Sequence, residues 1–239
     1  MQPPLPRRVA RELLLIMGRS TAVLQWGNPT RGVPSNGSIF FVDTGKSLVA
    51  VTARHVYEAS CETALQDPRV VCQIDNLRFD PRQRVIALGR DCDMATFAFR
   101  KDDLAEIGKT TVPWPPVVPV EGAIVLFAGL PGETKKSPEP GHVEGGYLTG
   151  LARVDSINDR DISCVIPPNE LLLDVIGKGL PPPDYDLGGM SGGPVAVVSD
   201  TDSSILSWSI AGVIYECGGS FRIIKAVRAD RIGDDGVIN

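Results

Sequence analysis

The sequence predicts an all-β protein made of two β-rich halves, on three observations. From Gly37 onward, apolar and β-branched residues come in short runs separated by turn residues. Gly (25) and Pro (20) are both frequent, which suits many short strands better than long helices. The Pro-rich piece Val112–Pro119 cannot lie in a central strand, because proline lacks the N–H that a ladder needs, so it divides the runs into two sets.

The elements follow in chain order. Residues 1–36 read as an N-terminal extension with an amphipathic helix over Arg7–Gly18. Its apolar run, Leu13–Met17, is too short for a signal peptide and is followed closely by Arg19. The first half spans 37–111. In it, Ser38–Val42 and Ser47–Thr52 form a hairpin across Asp43-Thr44-Gly45-Lys46, and Arg69–Ile74, Gln83–Leu88 and Ala95–Arg100 are further strands. Residues 112–119 are the linker. The second half, 120–239, holds strands at Ala123–Gly129, Tyr147–Ile157, Ile162–Ile166, Pro194–Ser199 and Ser207–Tyr215. Leu130–Gly141 reads as a mobile loop, and Phe221–Ile232 as a segment that ends in a helix near Gly233.

Composition excludes several functions. Net charge is −5 with no basic run, so a nucleic-acid partner has no electrostatic support. No stretch approaches the length of a membrane-spanning helix. The five cysteines are odd in number and show no CxxC or Cys/His spacing, so neither a disulfide framework nor a zinc site is expected. Reduced thiols in a cytoplasmic protein are the simplest expectation. No cofactor or metal is called for.

The sharpest chemical signal is Gly189-Met190-Ser191-Gly192-Gly193-Pro194. A serine among glycines is uncrowded, and the glycines let backbone N–H groups turn toward one point. Two such donors aimed at a developing oxyanion stabilise it by about 3–4 kcal/mol each. A Gly-rich chain reversal would carry the same string. A serine hydroxyl needs a base. Of the two histidines, His55 follows an apolar strand, where a loop can expose it to a cleft, whereas His142 lies in the polar, Pro-rich region and reads as solvated. The base needs a carboxylate to hold its tautomer. Asp93 enters an apolar segment. Asp91 has the opposite parity in an extended chain and reads as solvated, with an exchange of the two roles left open.

Thr52-Ala53-Arg54-His55, Asp93-Met94-Ala95 and Gly189-Met190-Ser191-Gly192-Gly193-Pro194 resemble the three signature segments of the trypsin/chymotrypsin family, in that family's order. The resemblance runs roughly from Gly37 to Ile232 and is strong at these three segments. It implies two antiparallel six-stranded β-barrels with the active site between them. It also implies a serine endopeptidase acting on a protein or peptide substrate through His55, Asp93 and Ser191, with an oxyanion hole from the N–H groups of Gly189 and Ser191. A catalytically silent binding module and an esterase are the alternatives on the same scaffold. The α/β-hydrolase reading of Gly189-Met190-Ser191-Gly192-Gly193 fails because those enzymes place the histidine after the serine, and none occurs after His142. Asp43-Thr44-Gly45 stands too near His55 for a subtilisin-like order, and it is a single copy where an aspartic-protease dyad needs two.

Three departures stand out. Val56 occupies the place of a half-cystine, so the chain resembles disulfide-free bacterial relatives. Met190 occupies the place of the aspartate that pairs with a freed α-amino group, so the loop is expected to form without cleavage or with a regulatory protein partner. Arg54 replaces a small residue and is expected to extend to solvent. By the same resemblance the substrate pocket involves Tyr185, Asp186, Tyr215, Glu216 and Cys217. Tyr185 at its base favours small or medium apolar side chains, and Asp186 there would favour Arg or Lys, helped by Glu216.

Overall fold

The computed structural model describes residues 5–132, 136–139, 142–144, 146–167, 172–174, 187–200, 206–218 and 222–239. After helix α1 (Arg7–Arg19), the first half contains β1 (Thr21–Gly27), β2 (Ser35–Asp43), β3 (Leu48–Thr52), helix α2 (Arg54–Gln66), β4 (Val71–Ile74), β5 (Leu77–Arg78), a short helix α3 (Pro81–Arg84), β6 (Val85–Leu88), β7 (Ala95–Ala98) and helix α4 (Lys101–Glu106). The strands form one antiparallel, curled sheet in the order β5-β4-β1-β2-β3-β7-β6. The second half contains β8 (Ile124–Gly129), β9 (Lys136–Glu139), β10 (His142–Glu144), β11 (Leu148–Ile157), β12 (Asp161–Val165), β13 (Leu172–Asp174), β14 (Pro194–Asp200), β15 (Leu206–Gly218) and β16 (Ile223–Arg228). Here the order is β12-β16-β15-β14-β8-β11-β13, and pairing of β12 with β11 closes six of these strands into a barrel. The all-β, two-barrel architecture is therefore present, with the first barrel left open as a curled sheet of seven strands.

Strand periodicity sorts the apolar residues into three cores. On β8, Val125 and Phe127, like Ala123 just before it, point into the second barrel, while Ile124, Leu126 and Ala128 point toward the first half. On β2, Ile39 and Phe41 line the first sheet's own core, while Phe40 and Val42 face the second half. Both strands are buried on both faces, which is why they read as unbroken apolar runs rather than alternating ones. The core between the halves also takes Ala10, Leu14 and Met17 of α1, spaced along one stripe of the helix. Helix α1 is thus a wedge between the halves. Leu14→Ala is expected to cost about 2–5 kcal/mol of unfolding free energy, because the cavity opens where both halves meet. Urea unfolding monitored by the tryptophans checks this.

The segment 112–119 is bonded to both halves. Val112 N–H donates to Phe41 O of β2 (2.7 Å), and Val117 N–H donates to Ile210 O of β15 (2.8 Å). Several sequence expectations are corrected. β1 belongs to the first sheet, so residues 1–36 are not simply an extension. The expected loop Leu130–Gly141 contains β9, which pairs with β10, the strand that carries His142. The expected C-terminal helix is strand β16, paired on both sides, followed by a single 3-10 turn over Ala229–Arg231. Ile224 and Ala226 point inward and Lys225 outward, a two-residue alternation that a helix could not satisfy here.

Candidate active site

His55 and Asp93 meet at a helix start. β3 ends at Thr52, Ala53 keeps an extended backbone, and α2 begins at Arg54, so His55 sits in the first helical turn rather than in a loop. Ala53 has no side chain that can cap the helix. Asp93, just before the neighbouring strand β7, caps it: Oδ1 accepts the His55 N–H (2.9 Å), Oδ2 lies 2.5 Å from His55 Nδ1, and the Arg54 N–H also donates to this carboxylate. A carboxylate at the open N–H groups of a helix start is favoured by charge and hydrogen bonding together. Because ionised Asp93 can only accept, Nδ1 carries the proton, and Nε2 of the neutral ring is left as the base.

Asp93 is pulled in both directions. Burial raises its pKa, but the bonds from the His55 ring, the His55 N–H and the Arg54 N–H outweigh this and hold it below the ordinary carboxylate value. The hydrogen bond to Asp93 raises the His55 pKa above 6.5 against an opposing effect of burial, with the charges of Asp93 and Glu58 adding to the rise. The imidazole remains half-exposed, at 49%, and the carboxylate is 30% exposed. Asp91 points elsewhere, paired with Arg231 at 3.2 Å.

Arg54 does not simply extend to solvent. Its Nη1 donates to Gly89 O (2.8 Å) and its Nε to Glu58 (2.7 Å). It thereby ties the first turn of α2 to the segment that leads to Asp93, a role hidden in the sequence because an arginine beside a histidine carries no pattern of its own.

The Gly188–Gly193 segment presses against the same place. A Cβ on Gly192 would lie 2.0 Å from Ser38 O and from Thr52 Oγ1, and one on Gly193 would lie 2.0 Å from Ala128 O. Gly192 also has φ +88°, which favours glycine. Only glycine lets Ser191 approach the strand end that leads into His55. The Ser191 hydroxyl itself donates to Tyr215 O (3.2 Å) rather than to His55. The structure therefore joins His55 to Asp93, and it seats Ser191 against Ser38 of β2 with its hydroxyl turned to β15.

Among the described residues, the N–H groups of Gly189 and Ser191 have no acceptor. Met190 is fully buried in the second-barrel core, packed under Gly129, so an apolar side chain anchors the loop. Of the expected pocket residues, Tyr185 and Asp186 lie outside the described residues. Tyr215 packs on the core between the halves and Cys217 on the second-barrel core. Both Glu216 oxygens are 3.0 Å from Lys225 Nζ, so the charge expected to favour a basic substrate is already met. No cluster of potential metal ligands occurs among the described residues, and no helix among them is long and apolar enough to cross a membrane.

No protein-family model matches the chain, and no curated protein matches it significantly. Solved structures do. A scabies mite inactivated protease paralogue is 12% identical, with 90% of this chain and 91% of that chain covered and a TM-score of 0.51. A structure described by the aromatic interactions that drive coupled folding and binding of the intrinsically disordered Sesbania mosaic virus VPg protein is 12% identical, covering 88% and 85%, with a TM-score of 0.50. At such identity the likeness is one of fold, and the fold is the chymotrypsin-like pair of barrels.

Proposed function

We propose that this chain is a serine endopeptidase in which Ser191 is the nucleophile, His55 the general base and Asp93 the group that orients the base. One arrangement carries the reading: an imidazole held at Nδ1 by a carboxylate, and a glycine-flanked serine seated against the strand end that leads to that histidine, with two N–H groups that have no acceptor among the described residues. His55 Nε2 takes the Ser191 proton as Oγ attacks the scissile carbonyl. The tetrahedral oxyanion is met by the N–H groups of Gly189 and Ser191. His55 then gives its proton to the leaving amine, and an acyl-enzyme remains. Water, activated by His55, hydrolyses it. A protein or peptide substrate is proposed to align along β15 at Tyr215–Cys217, where an extended chain can pair with the strand.

A second reading, a silent binding module, draws on the Ser191 hydroxyl being turned to Tyr215 O. A cytoplasmic setting is part of the same proposal, supported by the lack of any disulfide among the described cysteines.

Digestion of a proteome-derived peptide library separates these readings. The endopeptidase reading expects cleavage with a consistent side-chain preference. Ester turnover without peptide cleavage points to the esterase, and neither activity to the binding module. The pH dependence adds a check. Asp93, held below its ordinary value, stays ionised through the working range, whereas His55 must be neutral to accept a proton. kcat/KM is therefore expected to rise with pH through one group whose pKa lies above 6.5.

A further inference from the structure

The loop that carries Ser191 is held by its carbonyls. Because a trans peptide is planar, anchoring a C=O fixes the N–H on its far side. Gly188 O accepts from Gly132 N (2.5 Å), which orients the Gly189 N–H. Met190 O accepts from Gly193 N (3.0 Å), which orients the Ser191 N–H. The two remaining carbonyls, Gly189 O and Ser191 O, both go to one residue. Ser38 Oγ donates to Gly189 O (2.9 Å), and Ser38 N donates to Ser191 O (2.8 Å).

Ser38 lies on β2, in the other half of the molecule, and is fully buried. Its hydroxyl proton has one possible direction. Leu130 N–H donates to Ser38 Oγ at 2.9 Å and an N–H cannot accept, so the hydroxyl must donate to the Gly189 carbonyl. Its own carbonyl accepts from Thr52 Oγ1 (2.6 Å), on the strand that leads into His55. Gly189, at φ +97°, has the backbone freedom to let its peptide turn over if that carbonyl is released.

We propose that Ser38 is a positioning residue for the oxyanion hole: it registers the Gly189–Ser191 loop of the second half against the His55-bearing strand end of the first. It touches no reacting atom: it holds the Gly189–Met190 and Ser191–Gly192 peptides, which flank the peptides that carry the Gly189 and Ser191 N–H groups, and so acts on those amides through the backbone between them. The inference rests on the acyl-transfer reading given above.

The test compares Ser38→Ala, which removes the side-chain bonds and keeps the main-chain ones, with Ser38→Cys, which keeps the shape and supplies only a weak donor. Each variant is first shown to be folded by its thermal transition. kcat is expected to fall about 10- to 100-fold in Ser38→Ala, and less in Ser38→Cys, with KM little changed. Affinity for a peptide aldehyde, which forms a tetrahedral adduct on the serine, should fall by the same factor as kcat. The acid limb of the pH profile should not move. An unchanged kcat in either folded variant overturns the proposal. So does a loss spread equally over kcat and KM with aldehyde affinity intact, the mark of a merely structural role. If Ser38→Ala does not fold, Ser38→Cys alone decides by the same criteria. A wild-type protein that neither cleaves peptides nor reacts with the aldehyde removes the acyl-transfer reading and this inference with it, whereas active wild type with unaffected variants removes this inference alone.

Discussion

Ser191→Ala is expected to lower peptide turnover on the order of a million-fold, because nucleophile and base act as one unit. The fold should survive. The hydroxyl makes one hydrogen bond, to Tyr215 O, and such a bond contributes about 0.5–1.5 kcal/mol. The close packing at this turn comes from Gly192 and Gly193, which the substitution leaves alone. Binding of a cleavage-resistant peptide should persist, since the edge of β15 is untouched. Turnover at the wild-type rate in this variant would assign the chemistry to another group.

The second large effect is at Asp93. Asp93→Asn keeps an oxygen that can accept the His55 N–H, so the start of α2 remains capped. The amide, however, can present its NH2 to His55 Nδ1, and the neutral ring then carries its proton on Nε2, where it cannot act as base. A loss of about ten-thousand-fold in kcat is expected from this exchange of tautomer. The pH profile gives an independent sign. The hydrogen bond and the negative charge of Asp93 both raise the His55 pKa, so removing the charge should move the acid limb of residual activity to lower pH. Rate against pH for both proteins checks the two together. A variant within tenfold of wild type would mean that Asp93 does no more than cap α2.

Much of this arrangement was legible in the sequence, for identifiable reasons. The β2–β3 hairpin shows itself because the strands carry the unbroken apolar runs Ile39–Val42 and Leu48–Val51 and the turn between them is Asp43-Thr44-Gly45-Lys46. The Gly-rich segment around Ser191 is readable because two glycines are needed where a Cβ would strike main chain. Other elements hid themselves. β1 alternates cleanly, with Ala22, Leu24 and Trp26 facing the first-sheet core, but it follows α1 with only Ser20 between and no turn residues to announce it. Helix α2 buries only Val56 and Ser60 fully, too few to make a stripe. Around β16 the cations Arg222, Lys225 and Arg228 recur every third residue and imitate a helical face, although Lys225 pairs across the sheet with Glu216 and Arg228 pairs locally with Asp230.

Ser38 illustrates the deeper limit. A polar residue inside an apolar strand signals a buried hydrogen-bonding task. Its partners, Gly189 and Leu130, lie 151 and 92 residues away, and only the fold brings them to it. The same holds for Asp93 as cap of α2. Propensity and spacing describe each element alone, while the start of this helix is completed by a side chain at the head of the neighbouring strand.

The most direct measurement is the site and rate of phosphonylation by a serine-directed phosphonate, read by mass spectrometry of proteolytic peptides. A single adduct on the peptide containing Ser191 is predicted, with a rate that rises with pH above 6.5 and collapses in Asp93→Asn. Peptide cleavage by a protein that takes up no label at Ser191, or equal labelling in wild type and Asp93→Asn, would contradict a nucleophile activated by the His55–Asp93 pair.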